Sequence, residues 1–180
     1  VTQQALPGIE PSRLGEKDFW PTPEIVTLRL LDRCPPPQDS IILEPAAGDG
    51  AIVRVLVDQG WQVVASDIRN TARECHEAGA DSFTLRDWLA DPFCDNMPVI
   101  TNIPFSIAPE FIAATMTARA PYTALLMPIE ELAGKQSTAK ILKRYPPTDL
   151  VPLPCRVWTR VRGVSWVIWR EDKPPAPIYW

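Results

Sequence analysis

The chain has 180 residues, a net charge of −4, 46% hydrophobic residues, four cysteines and one histidine. That length suits one domain with a good core, and no apolar run approaches membrane-spanning length. Cys34, Cys75, Cys94 and Cys155 are widely spaced with no CxxC pair, and His76 stands alone. These spacings argue against a metal site, a disulfide framework and a Ser-His-Asp mechanism. The N-terminus shows no basic-then-apolar leader pattern, so a cytoplasmic protein with no membrane partner is expected.

The charge is uneven. Residues 1–120 hold 9 Lys/Arg against 17 Asp/Glu, whereas residues 121–180 hold 9 against 5. A basic sector from Lys135 to Arg170 is either a footprint for a polyanion or a solvated face.

Residues 1–18 are polar and unpatterned and read as an arm, leaving a single domain over 19–180 with no separate target-recognition domain. Phe19-Trp20-Pro21-Thr22-Pro23 follows, then a helix over 24–33 with Ile25, Val26, Leu28 and Leu31 on its apolar side. Thr22 suits an N-cap and Pro23 the first helical position. A helix start here can face a carboxylate, or the segment can be a hydrophobic cover over the sheet edge. Pro35-Pro36-Pro37 ends the element.

Ile41-Ile42-Leu43 is a short buried strand that runs into Glu44-Pro45-Ala46-Ala47-Gly48-Asp49-Gly50 and a helix over 51–58. Glycines at a strand-to-helix turn let the backbone approach a ligand closely. A second strand over 62–66 ends at Asp67 and Ile68, and an acid there suits a ribose diol. A helix over about 71–79 and a weak strand over 82–85 lead to Asp87-Trp88-Leu89. Asp87 can take an adenine amino group while the ring packs against Trp88 or Leu89. A nicotinamide-binding domain also places an acid after its glycines, but its fingerprint wants a third glycine where Val53 stands.

The apolar run Pro98-Val99-Ile100 opens the stretch that organises the chain, Thr101-Asn102-Ile103-Pro104-Phe105. Asn102 should sit just past a strand's carboxyl end, where open α/β sheets place ligands. Ile103 precedes a proline and is biased to an extended conformation, and Pro104 has a fixed φ. The stretch therefore offers two acceptors in a row, the Asn102 side-chain oxygen and the Ile103 carbonyl, with Phe105 as a flat apolar face. That set suits a nucleobase amine. The plainer alternative is a polar turn with Phe105 in the core.

Taken together, these motifs resemble a class I S-adenosylmethionine-dependent methyltransferase of the adenine-N6 DNA type. EPAAGDG is similar to that family's glycine-rich cofactor loop, Asp67 to its ribose acid and Asp87 to its adenine-binding acid. FWPTP resembles the N-terminal cofactor motif, and NIPF the catalytic (D/N)-P-P-(Y/F/W) tetrapeptide with Ile103 for the first proline. These motifs span residues 19–105, and the short chain with its tryptophan-rich end is similar to small phage-type enzymes. The resemblance implies a Rossmann-like α/β fold: a mostly parallel seven-stranded sheet with an antiparallel last strand and helices on both faces. It implies S-adenosylmethionine as cofactor, held by Phe19, Trp20, Pro21, Thr22, Glu44, Pro45, Ala46, Gly48, Gly50, Asp67, Ile68, Asp87, Trp88 and Asn102. Asn102, Ile103, Pro104 and Phe105 would carry catalysis on a flipped adenine. NIPF is also the form in ribosomal RNA adenine methyltransferases, which however carry a helical C-terminal domain and do not open with FWPTP. DNA is favoured over RNA.

After this stretch the pattern predicts a helix over 108–119, a strand over 122–127, a partly helical 130–144 and two strands over 150–157 and 164–170. Trp166 and Trp169 are expected in the core. Arginines interleaved with aromatics can stack on bases and hold phosphates, so Lys135, Lys140, Arg160 and Arg162 are the nucleic-acid candidates. Target selection would come from 130–163, from a protein partner or from a dimer. The alternatives are transfer to a protein glutamine amide, which the basic sector disfavours, and a catalytically silent cofactor-fold subunit, which the intact motifs disfavour.

Overall fold

The computed structural model describes residues 20–128, 136–153 and 163–176. Arm residues 1–18, Phe19, Lys135, Arg160 and Arg162 lie outside this range. The elements in chain order are α1 (Glu24–Arg33), β1 (Ile41–Glu44), α2 (Ala51–Asp58), β2 (Gln62–Asp67), α3 (Ala72–Glu77), β3 (Ser82–Leu85) and β4 (Val99–Asn102), then a 3-10 turn (Phe105–Ile107). They continue as α4 (Ala108–Ala118), β5 (Tyr122–Pro128), α5 (Gln136–Arg144), β6 (Asp149–Pro152) and β7 (Val164–Arg170).

The seven strands form one sheet in the order β3-β2-β1-β4-β5-β7-β6. Pairs among β1 to β5 are parallel, and β7 runs antiparallel to both β5 and β6. The expected mostly parallel sheet with an antiparallel last strand is therefore present. From β1 the chain moves outward to β2 and β3, then returns to β4 on the other side. That reversal leaves a crevice outside the carboxyl ends of β1 and β4, where ligands of such sheets bind.

Central strands covered on both faces read as continuous apolar runs, and their residues alternate between two cores. Ile42, Tyr122, Ala124, Leu126, Trp166 and Ile168 join α1, α2 and α3 on one face. Leu43, Val99, Leu125, Met127, Val167 and Trp169 join α4 and α5 on the other. Trp166 and Trp169 are core residues, as expected, and both indoles are satisfied. Trp166 Nε1 donates to the Val26 carbonyl at 2.8 Å and Trp169 Nε1 to the Tyr145 carbonyl at 2.9 Å.

Two local expectations are corrected. Thr22 does not cap α1: the capping position is Pro23, with no side-chain cap. The apolar face of α1 is Val26, Thr27 and Leu30, while Ile25 is 65% exposed. Burying the Val26 stripe lets its carbonyl meet the Trp166 indole, which a reading of hydropathy alone does not show.

Candidate active site

A cleft of about 590 Å³ opens at the carboxyl ends of β1, β2 and β4. That volume lies within the range of small-molecule and cofactor sites. Trp20, Thr22, Glu44, Pro45, Ala46, Gly48, Asp67, Ile68, Asp87, Trp88, Asn102 and Pro104 all line it. Residues as far apart in sequence as Trp20 and Pro104 are thus gathered by the sheet's switch point.

Pro21, Gly50, Ile103 and Phe105 were expected at the site but do not line the cleft. Ile103 is buried, and Phe105 is half-buried against the same apolar core. Gly50 has φ 75°, and a Cβ there would lie 2.7 Å from Ala78 Cβ. Its small size serves the close approach of the loop to α3.

The glycine loop is held by Asp67. Gly48 N–H donates to Asp67 Oδ2 at 2.9 Å, and Ala47 N–H to the Ser66 carbonyl at 3.0 Å. Asp67 also accepts from Arg69 N–H at 2.8 Å, Nε at 3.1 Å and Nη2 at 3.3 Å. Asp87 Oδ1 accepts from Leu89 N–H at 2.9 Å, which closes the turn after β3. Trp88 is 3% exposed, donates to Thr115 Oγ1 at 3.0 Å and stacks with Phe111 at 6.3 Å. It forms the apolar floor beside Asp87.

Two buried polar groups in the cleft wall lack partners among the described residues. One is the Glu44 carboxyl, 1% exposed, with neither oxygen hydrogen-bonded. Burial raises its pKa well above the usual carboxylate range, and the Asp67 charge pushes the same way; the Thr101 hydroxyl and the Ala46 N–H lie nearby, outside hydrogen-bonding geometry, and favour the charged form without offsetting burial. The other is Asn102 Oδ1. Its amide nitrogen is engaged, donating to the Trp20 carbonyl at 3.0 Å and Thr22 Oγ1 at 3.1 Å. Asn102 is the last residue of β4, paired with Leu126, rather than just beyond the strand. Buried acceptors are normally satisfied, so an unpaired one in a cleft wall is a place for a donor to arrive.

Arg69, Arg86, Ile107 and Glu110 also line the cleft and escaped the sequence reading. Arg69 follows the strand-end acid by two positions, a spacing that could have flagged the pair. Arg86 lies 3.7 Å from Asp91 and 5.8 Å from the centre of the Phe93 ring. Lys140 lies on α5, is exposed and does not line the cleft. Further along the basic sector, Arg170 is paired with Asp149 at 3.4 Å, and Lys173 also bonds Asp149.

No family model matches the chain, and neither does any curated protein. Solved structures do. A protein from Listeria monocytogenes described as a class I S-adenosylmethionine-dependent methyltransferase matches with a TM-score of 0.67 and 18% identity, over 86% of this chain and 62% of its own. The modification subunit of a type I restriction enzyme from Vibrio vulnificus matches with a TM-score of 0.65 and 14% identity, over 92% and 47%. The 23S rRNA methyltransferase ErmE matches with a TM-score of 0.61 and 16% identity, over 84% and 69%. The chain thus spans less than two thirds of the first two proteins. At these identities the likeness establishes the class I methyltransferase fold.

Proposed function

We propose that this chain transfers a methyl group from S-adenosylmethionine to the N6 amine of adenine in DNA. The observation that carries the reading is Asn102 Oδ1, a buried acceptor without a partner among the described residues, in the wall of the switch-point cleft. An exocyclic amine is a donor of the kind it lacks.

The residues present fit the cofactor. The glycine loop, Asp67, Asp87 and the Trp88 floor line one continuous cleft, and Glu44 brings an unpaired buried carboxyl. Those side chains would hold it, with Trp20 from the N-terminal motif, while the Thr22 hydroxyl accepts from the Asn102 amide. S-adenosylmethionine bound there supplies an already activated methyl group, so no metal is called on.

The chain's own part is orientation. Asn102 Oδ1 and the Ile103 carbonyl accept hydrogen bonds from the amine, fixing its lone pair along one direction. The same dipoles stabilise positive charge as it develops on the nitrogen. An amide has no useful pKa, so Asn102 orients and does not act as a base. The flipped adenine would pack on apolar surface at the cleft mouth. Phe105, half-buried just after Pro104, is the aromatic candidate for that surface.

DNA is favoured by FWPTP and supported by the likeness to a restriction-modification subunit. RNA is the second reading, since Ile103 replaces the first proline of the tetrapeptide and one structural neighbour is a 23S rRNA methyltransferase. Target choice falls to the 130–163 segment, to a protein partner or to a second copy, with Lys135, Lys140, Arg160 and Arg162 as phosphate contacts.

The test is transfer of labelled methyl to duplex DNA, single-stranded DNA and RNA, with Asn102→Ala alongside and product nucleosides identified by mass. N6-methyladenine in DNA, absent with the variant, is expected. Label in RNA alone selects the second reading, and label in no nucleic acid overturns both.

A further inference from the structure

Asn102 is gripped from one side. Both partners of its amide nitrogen come from the segment ahead of α1, 82 and 80 positions earlier in sequence. A carbonyl can only accept, so the Trp20 carbonyl decides which end of the amide faces the segment. Oδ1 is thereby turned away from it, and remains unpaired.

The grip is well founded. Thr22 is 7% exposed, so water competes little for its hydroxyl. The next turn is tied down twice. Val26 N–H donates to the Pro23 carbonyl at 2.9 Å, and the Val26 carbonyl accepts the Trp166 indole N–H at 2.8 Å. The Thr22 hydroxyl does not cap α1, so it is available to Asn102.

We infer that Thr22 is a positioning residue: with the Trp20 carbonyl it locks the Asn102 amide in the orientation that keeps Oδ1 ready for the target amine. The inference rests on the methyl-transfer reading above and deepens it. A flipped amide would present N–H groups to the amine, donor against donor, and could not hold its lone pair. Thr22 thus acts through Asn102 on the chemical step and not on cofactor affinity.

The experiment uses the full chain with Thr22→Val, which keeps the shape and removes the acceptor, and Thr22→Ser, which restores it. Thr22→Ala is a second removal variant should valine disturb the fold. Three readouts are taken: single-turnover methyl transfer, S-adenosylhomocysteine affinity by calorimetry, and the Asn102 side-chain NH₂ resonances in a ¹⁵N-correlated spectrum. Losing this hydrogen bond is expected to slow transfer by about 3- to 30-fold, with S-adenosylhomocysteine affinity changed less than about twofold. Thr22→Ser should recover most of the rate. The Asn102 NH₂ resonances should move in Thr22→Val and return in Thr22→Ser. A loss of affinity matching the loss of rate would make Thr22 a cofactor contact and overturn the inference. So would unmoved Asn102 resonances. If the wild-type chain methylates no nucleic acid, the functional reading fails, and the resonances still decide whether Thr22 sets the amide.

Discussion

The Arg69 guanidinium clasps the Asp67 carboxylate, with Nε on Oδ1 at 3.1 Å and Nη2 on Oδ2 at 3.3 Å. The Arg69 N–H and the Gly48 N–H occupy the same two oxygens from other directions. An ionised carboxylate has about four lone-pair sites, so Asp67 is saturated. A ribose diol can reach it only when the Arg69 side chain lets go, because the two backbone donors belong to the loop's own geometry. Arg69→Met keeps the stem and opens two sites. The pair is partly exposed, so a modest gain is expected: S-adenosylhomocysteine should bind about 3- to 10-fold more tightly by calorimetry. Weaker binding would mean that Arg69 itself holds the ligand.

Asn102→Ala separates chemistry from stability. The substitution removes the proposed acceptor and, with it, two hydrogen bonds to the 20–22 segment. Removing a preorganised hydrogen-bonding group at a reacting centre costs on the order of 100-fold or more in rate. Two part-buried hydrogen bonds are worth about 1–3 kcal/mol of stability. Urea melts should therefore show a shifted midpoint with an unchanged slope, while single-turnover transfer falls to near background. A variant that keeps more than about a tenth of the rate would remove Asn102 from its central role.

The legible parts of the molecule are those where spacing alone carries the information. The limits of α2 and β7 follow from glycine punctuation and from unbroken apolar runs. The paired fates of Trp166 and Trp169 follow from period two, since adjacent strand positions face opposite cores. Gly48, Asp67, Asp87 and Asn102 sit at strand ends, and a parallel sheet brings such ends together whatever lies between them. What hid was set by partners far off in sequence. Ile25 is exposed while Val26, Thr27 and Leu30 face the core, and a tryptophan 140 positions away takes the Val26 carbonyl. Arg69, Arg86 and Glu110 are charged residues in turns or at a helix start, where no periodicity marks them. Phe105 begins the 3-10 turn after Pro104 and is half-buried against the apolar core beside the cleft rather than among its lining residues.

Gly50→Ala should expose a structural glycine inside a loop read as cofactor-binding. Gly50 has φ 75°, where a Cβ is strained, and that Cβ would meet Ala78 Cβ at 2.7 Å and the Glu74 carbonyl at 3.1 Å. Neither neighbour is the end of a flexible side chain. The left-handed conformation and the overpacking together should cost about 2–4 kcal/mol of stability. Gly50 does not line the cleft, so S-adenosylhomocysteine affinity, measured well below the melting temperature, should change less than about threefold. A large loss of affinity with unchanged stability would return Gly50 to the cofactor site.

Glu44 should give the stability curve a distinctive pH dependence. Its carboxyl is buried without a hydrogen-bond partner among the described residues, and burial, then the Asp67 charge, raises its pKa well above the usual value. The folded chain therefore holds this proton more tightly than the unfolded chain. Between the two pKa values the native state binds more protons, so stability falls as pH rises. The contribution is fully present below the ordinary carboxylate pKa of about 4.3 and is lost progressively up to the raised folded value. Asp149 runs the other way: burial opposes its charge, but Lys173, Thr148 and Arg170 outweigh that and lower its pKa, so its contribution fades only in acid. Glu44→Gln keeps the shape and cannot ionise. The difference in unfolding free energy between wild type and variant, taken from urea melts across the pH series, should therefore move in favour of the variant as pH increases above about 4.3. A difference flat with pH would show that Glu44 ionises normally in the fold. The same proton bears on the cleft, because a cationic ligand beside Glu44 favours its charged form. S-adenosylmethionine binding should then release protons, read as a buffer-dependent binding enthalpy that Glu44→Gln abolishes.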